Sequence, residues 1–256
     1  MDRSGRAQVS NLNMKELVKG TIKAALHLAG LEIFRINPVA TTAHRRLAMM
    51  RHHGIEVAVD VGANAGQYGS ALRQSGYKDA ILSFEPLSGA FKVLESAASR
   101  DAKWRVYNVA IGAENGESDI HVAANTWSSS LLPILDAHVS NAPASRYIST
   151  EHVRVCTLDS ALEGVIGHEK RVLLKIDTQG YEDQVIKGAI SLIERQVHLI
   201  ECELSLVPLY EGQCLFSEMM SLLAKNHFSP VHLEPGFSDQ KTGYCLQLDG
   251  IFARLG

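Results

Sequence analysis

The 256-residue chain has no apolar run near the ~20 residues that a membrane-spanning helix needs. Its first residues hold no compact apolar block followed by a small-residue cleavage site, so no secretory signal is expected. The four cysteines, Cys156, Cys202, Cys214 and Cys245, form no CxxC and no short paired spacing. Free thiols in a reducing compartment are therefore expected, although the sequence leaves a disulfide open. There is no His-x-His and no tight Asp/His cluster, so no metal is expected. A formal net charge of −3 speaks against a general nucleic-acid binder. Internal repeats and low-complexity tracts are absent as well. These absences leave a cytosolic globular protein, and its length suits one α/β domain.

What is present is unevenly distributed. Residues 1–54 carry nine basic and three acidic side chains, a net of +6, and residues 55–256 carry a net of −9. The apolar residues Met14, Leu17, Val18, Ile22, Ala25, Leu26 and Ala29 have helical spacing, with Lys15, Lys19 and Lys23 on another face. A second helix is expected over 41–53. Two roles fit this basic N-terminal helical extension. Its apolar face packs on the catalytic domain or on a second subunit, as in a homodimer. Alternatively its lysines meet anionic lipid, which gives peripheral contact with the inner face of the plasma membrane.

From residue 55 the pattern changes. Strand-like runs at 55–61, 80–84, 104–109, 118–123, 153–158, 171–176, 197–202 and 246–253 alternate with helical stretches at 66–75, 88–99, 181–195 and 215–226. Such alternation implies a mostly parallel sheet with helices on both faces. A polar stretch at 125–151 is too long for an ordinary connection, and reads as either disordered or a functional lid.

The first strand ends in "VAVDVGANAGQYG", residues 57–69. It lacks the lysine of a GxxxxGK[ST] phosphate loop, and Asn64 replaces the second glycine of GxGxxG. Asn tolerates left-handed backbone, and Ala63 and Ala65 still allow a ligand close approach. The helix starting near Gly66 offers free N–H groups to an anion. Twenty-five positions after Asp60, the second strand ends in Glu85, suited to accept from both hydroxyls of a ribose. Asp60 can meet a cation or hydroxyl. S-adenosylmethionine, with a ribose, an ammonium, a carboxylate and a sulfonium, fits that outline.

Six ordered blocks, "DVGANAGQYG", "SFEPL", "NVAIG", "LLKIDTQGYEDQVIKGA", "ECELSLVPLYEGQ" and "QLDGIFAR", resemble the FkbM family of S-adenosylmethionine-dependent methyltransferases over about residues 55–254. The resemblance implies a Rossmann-like class I fold with a seven-stranded sheet. It also implies O-methylation of a sugar or polyketide hydroxyl, and the blocks are similar to an actinobacterial subgroup linked to cell-wall glycolipids. By this resemblance Asp60, Gly62, Asn64, Gly66 and Tyr68 form the cofactor loop, Glu85 holds the ribose, and Asn108 and Ala110 border the adenine. Where many members read D-V-E-G, this chain has Asp177-Thr178-Gln179-Gly180.

The resemblance does not assign the base that takes the acceptor's proton, so three candidates come from chemistry. Asp177 ends the strand next to the cofactor, or else caps the following helix. Of Glu201 and Glu203 only one is expected to face the site, with Glu203 preferred. His138, inside the 125–151 stretch, has a side chain that titrates near neutrality. Trp127, Tyr147 and Tyr210 are expected either around a sugar acceptor or over the core. The functional expectation is a sugar or glycolipid O-methyltransferase. Its alternatives are a polyketide or small-metabolite O-methyltransferase and a non-catalytic cofactor-binding module.

Overall fold

The structure, a computed structural model, describes residue 18, residues 20–28, residue 30 and residues 41–255. The chain divides into two compact units, Met1–Thr42 and Ala43–Gly256. In the first, residues 20–28 are helical and Gly30 lies in a turn, in line with the helix expected there. Val18, Ile22 and Leu28 are exposed, while Lys15 and Lys19 lie outside the described residues. Among the described residues no helix is long and apolar enough to cross a membrane.

The 1–54 extension read from the sequence therefore divides. Its second helix, α1 (Thr42–His52), belongs from Ala43 on to the second unit, where Leu47 and Met50 join one buried cluster with Ile55, Ala58, Leu173 and Leu199. The strands then run β1 (Val57–Val61), β2 (Ala80–Phe84), β3 (Trp104–Tyr107), β4 (Ala110–Ile111), β5 (Gly116–Ala123), β6 (Tyr147–Cys156), β7 (Val172–Ile176), β8 (Val197–Ser205), β9 (Phe228–Pro235) and β10 (Gln247–Arg254). Seven form one sheet in the order β3-β2-β1-β7-β8-β10-β9. The pairings are parallel from β3 through β8, and β10 runs antiparallel to both its neighbours. Strand order reverses between β1 and β7, the place where open α/β sheets bind ligands.

The alternation of a strand's side chains explains the two cores. Val57, Val59 and Val61 join one apolar cluster with Leu174, Ile186 and Ile200, and Ala58 joins the other on the opposite face. The helices on these faces include α2 (Gln67–Ser75), α3 (Ser88–Ala98) and, after β8, a helix over Phe216–Lys225.

Three features differ from the sequence reading. The runs at 118–123 and 153–158 do not enter the main sheet. They pair with each other antiparallel as β5 and β6, and β4 adds to β6, in a second sheet of order β4-β6-β5. The stretch at 125–151 is folded, with α4 (Asp136–Asn141), a 3₁₀ turn at Pro143–Ser145 and the start of β6, and it buries Ser130 and Ser145. The helix expected over 181–195, following the short α5 (Leu158–Ala161), is two helices, α6 (Glu182–Lys187) and α7 (Ile190–Arg195). They break at Gly188, where a Cβ would lie 2.0 Å from the Gly112 carbonyl oxygen. The unpredicted β9 carries Pro230 and Pro235 on a sheet edge, a pattern that sequence periodicity does not mark as strand.

Candidate active site

A cleft of about 510 Å³ opens over the carboxyl ends of β1, β2, β7 and β8. On the β1 side the chain turns sharply. Gly62 has φ +75°, and a Cβ there would stand 1.8 Å from the Asp177 carbonyl oxygen, so glycine alone lets β1 and β7 end side by side. Asn64 follows with φ +46°, its side-chain oxygen accepting from the Ala65 N–H at 2.8 Å. Gly66, at φ +86°, then opens α2.

Glu85 closes this side. Its two oxygens accept from the Asn64 N–H at 2.8 Å and the Leu87 N–H at 2.9 Å. Burial pushes the Glu85 carboxyl up to about 7, against the pull of those two N–H groups. Each oxygen keeps a further lone pair, enough to accept from a diol. Asn108 donates to the carbonyls of Glu85 and Pro86, both at 2.9 Å, and so pins the Glu85 backbone without lining the cleft.

Beneath the loop lies a buried ionic group. Asp60 is fully buried, 3.2 Å from the Lys175 ammonium, and accepts from Ser83 Oγ at 3.1 Å; Ser83 in turn accepts from Trp104 Nε1 at 3.0 Å. Burial raises the Asp60 carboxyl, against Lys175 and Ser83. Lys175 also reaches the Gly62 carbonyl at 3.2 Å and Asp177 at 3.5 Å. Burial disfavours its charge, but the carboxylates of Asp60 and Asp177 outweigh that and hold the ammonium above its ordinary range.

On the β7 side, side chains do the organising. The Gln179 amide donates to Asp177 at 2.9 Å and to Glu203 at 3.2 Å, while Gln247 donates to the same Glu203 oxygen at 2.6 Å. Burial first, then the charges of Asp177 and Glu182, push the Glu203 carboxyl well above the ordinary range. Glu201, two residues before Glu203, lies on the same strand face, so alternation does not separate them; of the two only Glu203 lines the cleft, as expected, and Glu201 is held behind it. Glu201 accepts from the Tyr68 hydroxyl at 2.8 Å and is gripped by the Arg46 guanidinium, which sits 4.8 Å from the Tyr68 ring centre.

Of the residues expected to bind the cofactor, Gly62, Asn64, Tyr68, Glu85 and Ala110 line the cleft; Asp60, Gly66 and Asn108 support it from behind. Of the candidate bases, Asp177 and Glu203 line it and His138 does not. His138 is buried, edge-on to the Tyr210 ring at 5.2 Å and beside Phe237 at 5.2 Å, and burial lowers its pKa to about 4. It packs among rings rather than facing the cleft. Trp127 lines the cleft mouth and is 68% exposed, whereas Tyr147 and Tyr210 pack behind it. Sequence reasoning missed Lys175, Arg46 and Gln179. The signal for Lys175 was its charge inside the apolar run "LLKI"; Arg46 was hidden by its place in the basic segment.

The residues present suit S-adenosylmethionine. Leu87, Ala110, Ile120 and Leu131 give apolar walls for a base, Glu85 an acceptor for a ribose, and Lys175 a positive charge for the carboxylate of an amino-acid end.

Comparison with known proteins agrees. Residues 60–230 match the model of the methyltransferase FkbM domain. The 2-O-methyltransferase NoeI of Sinorhizobium fredii (strain NBRC 101917 / NGR234) is 28% identical over 187 residues, 70% of this chain and 76% of that protein. Solved structures with a similar layout include Burkholderia thailandensis 1,6-didemethyltoxoflavin-N1-methyltransferase with S-adenosylhomocysteine bound, 12% identical over 95% of this chain and 90% of that one, TM-score 0.44. Another is the N-terminal domain of human METTL16 with S-adenosylhomocysteine, 9% identical over 88% and 73%, TM-score 0.46. The chain belongs to the FkbM methyltransferase family, and its cofactor is S-adenosylmethionine.

Proposed function

We propose that the protein is an O-methyltransferase in the cytoplasm that methylates a sugar hydroxyl, of a cell-wall glycolipid or polysaccharide. The observation that carries this reading is the pair of carboxyls, Asp177 and Glu203, joined by Gln179 at the cleft floor beside Lys175. When bound, S-adenosylmethionine supplies an electrophilic methyl group on a sulfonium. A sugar hydroxyl is weakly acidic and needs its proton removed as the new C–O bond forms. Asp177 takes up that proton and orients the oxygen, while Lys175 balances the carboxylate. Glu203, whose carboxyl burial pushes well above the ordinary range, adds a second polar contact at the cleft floor. Trp127 offers an exposed aromatic face on which a sugar ring can stack. A relative named as a 2-O-methyltransferase supports transfer to oxygen.

The test combines binding and turnover. Labelled cofactor is incubated with the protein and fractions of cell-wall glycolipid, polysaccharide and small-metabolite hydroxyl compounds. Label in the glycolipid or polysaccharide fraction is expected. Label confined to small metabolites would move the acceptor class, and no label despite calorimetric cofactor binding would leave a non-catalytic module. In Asp177→Asn, turnover should fall about 10²-fold or more, with cofactor affinity within about threefold because Glu85 and the glycine turn remain.

A further inference from the structure

Gln179 occupies an unusual position. Its φ is +57°, a left-handed conformation that a non-glycine residue keeps only where the surroundings fix it. They do so here from three sides. The Ser130 hydroxyl, from the folded 125–151 stretch, donates to the Gln179 carbonyl at 2.7 Å. The buried Tyr210 hydroxyl donates to Gln179 Oε1 at 2.7 Å. With its oxygen so occupied, the amide has one orientation, and Nε2 points at Asp177 and Glu203. Tyr210 is itself seated by Gln213, whose Oε1 accepts from the Leu209 and Tyr210 N–H groups and whose Nε2 donates to Ser205 at 2.7 Å. The "PLYEGQ" block is thereby the mount for one amide.

We propose that Gln179 is a positioning residue for methyl transfer: its amide, locked by Tyr210, donates to both carboxyls of the cleft floor and holds Asp177 and Glu203 in the arrangement in which Asp177 takes up the acceptor's proton. The role of Asp177 rests on the reading above. An amide is the group that does this. It gives a donor to each carboxyl and brings no charge, whereas a glutamate at 179 would set a third carboxyl within hydrogen-bond distance of the other two. The charged and titratable groups facing the cluster are Lys175 and Asp60 behind it, Glu182 on α6, Glu201 on β8 and Asp249 on β10. Lys175 is already shared between Asp60 and Asp177, so the added charge would be met by proton uptake.

The experiment follows the carboxyl carbons of Asp177 and Glu203 by ¹³C NMR titration in the cofactor-loaded wild type, Gln179→Glu and Gln179→Leu, with the pH profile of turnover alongside. The NMR readout needs no acceptor. In Gln179→Glu the cluster titrations and the rising limb of the rate profile should move up by about one pH unit or more. In Gln179→Leu, which removes the amide's donors, each carboxyl loses a hydrogen bond to its charged form, and both titrations should move up. Cofactor affinity within about threefold in both shows that the fold is kept. If Gln179→Glu does not fold, Gln179→Leu decides alone. Unchanged titrations in the folded variants would overturn the proposal. Shifted titrations in an enzyme whose Asp177→Asn variant still turns over would instead overturn only the assignment of Asp177 as base.

Discussion

The two sides of the cleft are built differently. On the β1–β2 side the ligand-facing groups are mostly main chain: a turn at Gly62 and Asn64, the free end of α2, and one carboxylate held by two backbone N–H groups. On the β7–β8 side they are side chains, Asp177, Gln179 and Glu203, tied to one another and to Tyr210 and Gln247 behind them. A cofactor of fixed shape can be held by backbone geometry, which a few glycines specify. An acceptor's proton must be managed by titratable groups, whose behaviour depends on neighbours distant in the chain.

The sharpest way to break this arrangement is at Gly62, where the sides touch. Gly62→Ala must place a methyl 1.8 Å from the Asp177 carbonyl oxygen at a φ of +75°. Backbone meets backbone there, so no flexible side chain can yield. We expect loss of several kcal/mol, seen as an insoluble protein or a thermal midpoint lower by about 10 °C or more. A midpoint within about 3 °C of wild type would show that β1 and β7 can separate, and that the two sides are less tightly joined than the structure has them.

Glu85 gives the next largest effect and separates binding from stability. Glu85→Gln loses a charged acceptor for the ribose, and affinity for S-adenosylmethionine should fall about tenfold, measured by calorimetry at pH 8. Stability should move the other way. The Glu85 carboxyl titrates near 7 in the fold and near 4.5 when unfolded, so the folded state binds more protons between those values and stability falls as pH rises through that window. The glutamine lacks this proton linkage. Its unligated stability relative to wild type should therefore rise from pH 4.5 to pH 7 and level off above, as measured by urea unfolding. A constant difference across that range would mean the carboxyl is not desolvated as described.

The contrast also explains what could be read from the sequence. Asp60, Gly62, Asn64 and Glu85 stand at strand ends within one local motif, and each has a stereochemical reason to be there, so the β1–β2 side of the cleft was legible. The main sheet was legible too, because β1, β2, β7 and β8 are short apolar runs separated by helical periodicity. The edge strand β9, the transfer of β5 and β6 to a second sheet, and the break at Gly188 were not, since each depends on a partner elsewhere in the chain. Gln179 stood out in the sequence only as a departure from the usual Asp-x-Glu-Gly. Its meaning came from Tyr210 and Glu203, 31 and 24 positions away.

The smallest effect is expected at His138, and it tests the division most directly, because sequence chemistry alone had placed a base there. The ring lies outside the cleft, edge-on to Tyr210, with Nδ1 buried and without a hydrogen-bond partner. It is linked to the Asp177–Gln179–Glu203 group through the packing of Tyr210, whose hydroxyl donates to Gln179. His138→Leu keeps an apolar body of similar size, so turnover should stay within about threefold and cofactor affinity should not change. The substitution should instead show in acid. Burial lowers the His138 pKa to about 4 in the fold, against 6.5 unfolded, so the unfolded chain binds the extra proton first and wild-type stability falls as pH drops from 6.5 towards 4. The leucine variant lacks that proton, and its stability relative to wild type should rise over the same interval. If turnover instead falls more than about tenfold while cofactor binding and the fold persist, His138 acts on the acceptor in a conformation that brings it into the cleft. The division between a backbone-built cofactor side and an Asp177–Gln179–Glu203 acceptor side would then have to admit a third catalytic element.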